Sequence, residues 1–241
     1  MTRLRIIFVI GTLAALIAAC GRQVTPNPPG LGPGGAPPGY LAVHFDVAQP
    51  FNFSQYQYMV VFNTTGSGVT PSTQTFQTNW AGYSYALVAY GNGVASGARV
   101  VQYRPPQIGR GPPGYYILGP TPQQFSWILN SNGTGTEFSM LAQKVIFVSP
   151  SPSPSTTPPS KWTFNAFTVG PGPFNALTFV DSMGAGAVGP PEYVSPTLCM
   201  NQQFDTTFYP QAQGSHIPPD PAAQIVSVEI SNNPIKPSSC P

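Results

Sequence analysis

Leu41-Ala42-Val43-His44-Phe45-Asp46-Val47 is the stretch that decides the fold. Its large apolar side chains, Leu41, Val43, Phe45 and Val47, fall on every second residue, and His44 and Asp46 take the other parity. A period of two sends alternate side chains to opposite faces, so the spacing predicts a half-buried β-strand. Tyr56, Tyr58, Val60 and Phe62 repeat the pattern, and further strand-like runs cover 83–90, 99–104, 115–118, 123–129, 136–143, 145–148, 161–169, 176–181 and 224–231, eleven in all. Asn92-Gly93, Asn132-Gly133 and Gly-Pro clusters between them supply hairpin turns. Phe138, Leu141, Ala142 and Val145 also fit a helical spacing, but Ser131-Asn132-Gly133-Thr134-Gly135 ahead of them reads as a hairpin loop. With no helical crossover to join parallel strands, parallel α/β is excluded. The expected fold is all-β: an antiparallel β-sandwich, immunoglobulin-like or jelly-roll-like, with long Pro/Gly-rich loops.

Composition agrees. Gly and Pro make 56 of 241 residues, yet 41% are hydrophobic and 29 are Phe, Tyr or Trp, far more than a disordered chain carries. Charged residues are only 7% against a usual quarter, which argues against coiled coils, helix arrays and nucleic-acid surfaces.

The N-terminus reads as an export signal over residues 1–19: Arg3 and Arg5, then an apolar run, then small residues before Cys20. From Ile6 to Ala19 is 14 residues, short of the roughly 20 that a helix needs to cross the hydrocarbon core. Ile17-Ala18-Ala19-Cys20 resembles the lipobox of bacterial lipoproteins. That resemblance implies cleavage before Cys20, acylation of Cys20 with palmitate-type chains, and an exported protein anchored by lipid to the outer membrane or cell surface. Several acyl chains anchor stably where one binds reversibly. Without Arg3 and Arg5, 7 basic and 7 acidic residues remain, so the mature chain is neutral and has no basic run for nucleic acid or anionic lipid.

Residues 20–39 follow as the acylated cysteine and its tether, with Gly or Pro at 12 of the 19 positions from Gly21 to Gly39. The tether spans about 25 Å as a flexible coil and nearly 60 Å as polyproline II. Residues 40–241 are expected to form one β-sandwich domain, with the Ser/Pro-rich stretch at 149–160 as a long loop. Once Cys20 is acylated, Cys199 and Cys240 remain. Outside the cytoplasm two leftover cysteines are expected to pair, free thiols being the alternative.

Chemistry is sparse. There is no triad motif, no phosphate-binding loop, no haem-attachment motif and no metal-ligand spacing, so no cofactor or metal is expected. The favoured function is a structural or binding module of the cell envelope, with an envelope glycan or protein as partner. Tyr56, Tyr58, Trp80, Tyr83 and Tyr85 are its candidate ligand-binding residues, since Tyr at i and i+2 share a face on which sugar rings stack. The alternative is a glycan hydrolase working through a carboxylate pair drawn from Asp46, Asp181 and Glu192.

Overall fold

The structure, a computed structural model, describes residues 35–65, 83–91, 95–104, 114–129, 135–147, 160–171, 177–183, 197–210 and 217–240. Its entrance is a β-turn written in the sequence Pro37-Pro38-Gly39-Tyr40. Tyr40 N–H donates to Pro37 O at 3.0 Å, and Gly39 has φ +85°, a conformation that a type II turn reserves for glycine. The turn launches β1 (Tyr40–Val47), the strand read first from the sequence.

Two antiparallel sheets pack face to face as a β-sandwich. Sheet A holds β1, β6 (Phe125–Leu129), β7 (Glu137–Gln143), β11 (Phe204–Phe208) and β12 (Ile225–Asn233), ordered β11-β12-β1-β7-β6. Sheet B begins with the meander of β2 (Gln57–Asn63), β3 (Tyr85–Gly91), β4 (Ser96–Arg104) and β5 (Gly114–Leu118). On its far side β2 pairs with β8 (Lys161–Pro171), whose other edge carries β9 (Leu177–Ser182) and β10 (Thr197–Cys199). Strands from both sides of the Ser/Pro-rich stretch pair in each sheet, β2 with β8 and β1 with β12.

The main core lies between the sheets. Leu41, Val43 and Phe45 meet Tyr58, Val60, Phe62 and Leu87 there, all at most 1% exposed. Sheet B is buried on its outer face as well, through Met59, Val61, Ala86, Val88 and Phe167, with Tyr83 packed against Phe167 at 6.1 Å between centroids. This explains the continuous runs Met59-Val60-Val61-Phe62 and Tyr85-Ala86-Leu87-Val88-Ala89: a strand covered on both faces has no polar parity.

Two differences from the sequence reading follow from packing. The run at 145–148 is not a strand, because Lys144–Phe147 form a 3-10 turn that carries Phe147 into the core against Trp162 and Tyr85. Strands β10 and β11 were absent from the reading. β10 is three residues long, and β11 (Phe-Asp-Thr-Thr-Phe) places only its terminal Phe residues against the core.

The sheets are pinned at opposite ends. At the entry end, Cys199 of β10 forms a disulfide with Cys240, which follows β12, with a Cα–Cα distance of 5.9 Å. At the distal end, the Asp181 carboxylate of sheet B accepts from Ile225 N–H of sheet A at 2.7 Å and from Ser182 N–H at 2.9 Å.

Candidate functional site

The proposed aromatic platform is corrected first. Tyr58, Tyr83 and Tyr85 are buried, at 1%, 0% and 1% exposure, and so belong to the cores. The cause is the double burial of sheet B, which leaves neither parity of its central strands facing water. Their hydroxyls are satisfied inside: Tyr58 donates to Ala222 O at 2.8 Å and accepts from Asn52 N–H at 3.0 Å, and Tyr85 accepts from Gln102 Nε2 at 3.0 Å. Burial raises the Tyr58 phenol well above its ordinary range. Trp80 lies outside the described residues.

Tyr56 is only half-buried, and it belongs to a different cluster at the distal end. Just beyond β1, Phe51 and Phe53 stack at 5.3 Å between centroids, Phe51 meets Tyr58 edge-on at 4.6 Å, and Tyr56 leans on Tyr58 at 6.4 Å. Phe138 joins Phe51 and Phe53 to Trp127 of β6, which stacks on it at 5.4 Å with 11° between planes. Phe45, Tyr58 and Phe138 form a buried base; Phe51, Phe53, Tyr56 and Trp127 form the rim, with Trp127 36% exposed. Gly91 ends β3 beneath it, where an added Cβ would lie 2.6 Å from Phe53 Cβ and 2.7 Å from Ala95 O. The sequence reading did not find this cluster, because Phe51 and Phe53 sit in a Pro- and Asn-containing connection outside any alternating run. Their spacing of two was the available signal.

The carboxylates divide as well. Asp46 faces outward from sheet A and accepts from Ser227 Oγ at 2.8 Å; burial raises its pKa, against the lowering effect of that hydrogen bond. Asp181 is 8% exposed on β9, bound to two backbone N–H groups, and burial pushes it up to about 6. The structure does not bring these two together: one faces outward from sheet A and the other is enclosed in sheet B. Glu192 lies outside the described residues, as does Cys20.

What does gather around Asp46 is the outer face of sheet A. The strand register sets Asp46 opposite Glu137 and Ser227, and His44 opposite Ser139 and Glu229. His44 Nδ1 lies 3.1 Å from Glu137 Oε1 and 2.9 Å from Ser139 Oγ, which itself donates to Glu137 Oε1 at 3.2 Å. A Ser–His–acid relay needs the hydroxyl and the carboxylate on different ring nitrogens. Here both share Nδ1, so the ring cannot pass a proton from one to the other, and the trio is a surface hydrogen-bond network. Glu229 is raised by burial and by its neighbour Asp205.

At the entry end lies a groove of about 350 Å³, lined among others by Pro38, Tyr40, Gln143, Lys144, Met200 and Lys236. Lys144 is half-buried, donates to Met200 O at 3.1 Å, and has its pKa lowered by burial. No group of three or more His, Cys, Asp or Glu among the described residues is arranged to hold a metal ion. Set against family models, curated proteins and solved structures, the chain matches none of them.

Proposed function

We propose that the chain is a bacterial lipoprotein, exported and held by acylated Cys20, that presents its sandwich as a binding module of the cell envelope. The observation that carries the binding reading is the half-open aromatic rim of Phe51, Phe53, Tyr56 and Trp127 at the end opposite the chain entry. The chain toward Cys20 leaves from Pro38 and Tyr40, so the tether and the rim occupy opposite ends of β1. A module built this way turns its aromatic end away from the surface to which it is anchored. Rings ordered by a rigid base bury much area at little entropic cost, which suits recognition by a neutral protein with few charges to steer a partner. The partner is an envelope glycan or protein. The disulfide supports export, since such bonds persist in oxidising compartments.

Two measurements test the reading separately. Metabolic labelling with a fatty-acid analogue should mark the wild type and not Cys20→Ala; equal labelling of both removes the anchor. Pull-down on peptidoglycan and a glycan array should retain the wild type and lose Tyr56→Ala and Trp127→Ala. Each ring is expected to contribute about 1–3 kcal/mol if sugars stack as bases do. Retention unchanged in both variants removes the rim as the binding surface.

A further inference from the structure

All three lysines of the chain, Lys144, Lys161 and Lys236, come together at the entry end, although they are far apart in sequence. Lys144 follows β7, Lys236 follows β12, and Lys161 begins β8. Backbone contacts tie the three together: Lys144 Nζ donates to Met200 O at 3.1 Å, Met200 N–H donates to Ser160 O beside Lys161 at 2.7 Å, and Ser238 N–H donates to Asn201 O at 3.0 Å. The sequence has no basic run, and the fold assembles the equivalent.

These cations lack carboxylate partners. Among the described residues the one ion pair is His44 with Glu137, while Asp46, Glu137, Asp181 and Asp220 lie toward the distal end. An ammonium has three donors; half-buried Lys144 uses one on Met200 O and keeps two for an acceptor entering the groove. The rim adds Val145 and Ile235, 62% and 76% exposed, beside Pro38, Gly39 and Tyr40, through which the chain leaves toward Cys20. Anion-seeking donors, two exposed aliphatic side chains and the root of a lipid tether therefore share one opening.

We infer that this groove holds the phosphate of an anionic phospholipid headgroup, with Val145 and Ile235 against the acyl boundary, so that the sandwich stands basic end down on its own membrane. The inference rests on the anchored reading above. A negatively charged leaflet attracts nearby lysines over about a Debye length, and the tether keeps the groove within reach of that surface.

The test uses full-length acylated protein reconstituted into phosphatidylcholine vesicles, with or without phosphatidylglycerol. A membrane-impermeant amine reagent reports the accessibility of Lys144 and Lys236 by mass spectrometry. Acetylation of both should slow about fivefold or more on the phosphatidylglycerol vesicles, and added salt should reverse the protection. Lys236→Glu, at an exposed position, should abolish the protection of Lys144, and Lys144→Met should do the same for Lys236. Flotation with both vesicle types but equal labelling overturns the groove and leaves the anchor intact. Failure to float with phosphatidylcholine overturns the anchor and this inference with it. Equal protection by inorganic phosphate in detergent, without vesicles, replaces the headgroup with a soluble anion and overturns the assignment.

Discussion

The outer faces of the two sheets differ more than the strands that make them. Sheet A turns His44, Asp46, Ser139 and Glu229 outward, and the network stays within reach of water. Sheet B turns Met59, Val61, Val88 and Phe167 outward, and all four are at most 1% exposed. One β-sandwich thus has a single-sided sheet and a double-sided one. On the single-sided sheet, parity separates core from surface; on the other, parity separates one core from another. Phe167→Ala is the most direct way to break this contrast. If the outer layer of sheet B is a true core, the substitution should cost about 3–5 kcal/mol in urea unfolding, whereas Ser139→Ala on sheet A should stay within about 1 kcal/mol. Equal small losses at both positions would show that the outer face of sheet B is not packed.

Sheets so unequal are fastened to each other at both ends. The Cys199–Cys240 bridge closes a separation of 41 residues, and in the chain-entropy model it contributes about 4 kcal/mol. Reduction should lower the urea midpoint with little change of slope, and alkylation of unreduced protein should find neither thiol. Two reactive thiols in exported material would remove this pin.

The opposite pin is Asp181, where burial works against the charge. Its folded-state pKa of about 6 lies above the 3.8 of an exposed Asp, so between those values the folded protein holds the proton more tightly than the unfolded chain. Stability from this group is therefore greatest at low pH, falls as pH rises toward 6, and is lowest above it. The swing is about 3 kcal/mol. Asp46 and Glu229 shift in the same direction. Asp181→Ala should flatten this part of the stability–pH curve and, by leaving Ile225 and Ser182 N–H without an acceptor, lower stability throughout. An unchanged curve would show that the carboxylate is not buried as described.

Tyr58 measures how far a ring assigned to a binding face has become core. Tyr58→Phe strips Ala222 O and Asn52 N–H of a shared partner at the distal end and should cost about 1–2 kcal/mol. Its effect on glycan retention should be nil, in contrast to Tyr56→Ala. Loss of retention without loss of stability would return Tyr58 to the binding surface.

How much of this was legible follows from the same asymmetry. Leu41 to Val47 showed its inward face because sheet A leaves His44 and Asp46 in water, and ten of the eleven strand-like runs are strands. At Tyr58, Tyr83 and Tyr85 the period-two rule gave the correct geometry but no answer to which face was wet, because double burial is a property of the covering layer and not of the strand. The distal rim draws on 51–58, 127 and 138, and the lysine groove on 144, 161 and 236; neither is contiguous, so topology alone assembles them. The disulfide was readable from parity, because it required only a count.

The smallest effect is expected where the sequence first drew attention, at His44. Glu137 Oε1 accepts from Ser139 and lies 3.1 Å from His44 Nδ1, with side chains 34% and 17% exposed for Glu137 and His44. Partly exposed pairs of this kind are worth about 0–1 kcal/mol, because water and salt screen the charges and ordering two side chains costs entropy. Glu137→Gln keeps the shape and one carbonyl acceptor for Ser139 while removing the charge beside His44 and Asp46. Losing the His44 contact lowers stability, and removing a like charge from Asp46 raises it. The net change should stay within about 0.5 kcal/mol, as for ordinary surface substitutions, and shrink further in high salt. A loss above about 2 kcal/mol, the scale of a charge stranded in an interior, would mean that the outer face of sheet A is enclosed like that of sheet B, and the two sheets would then be alike.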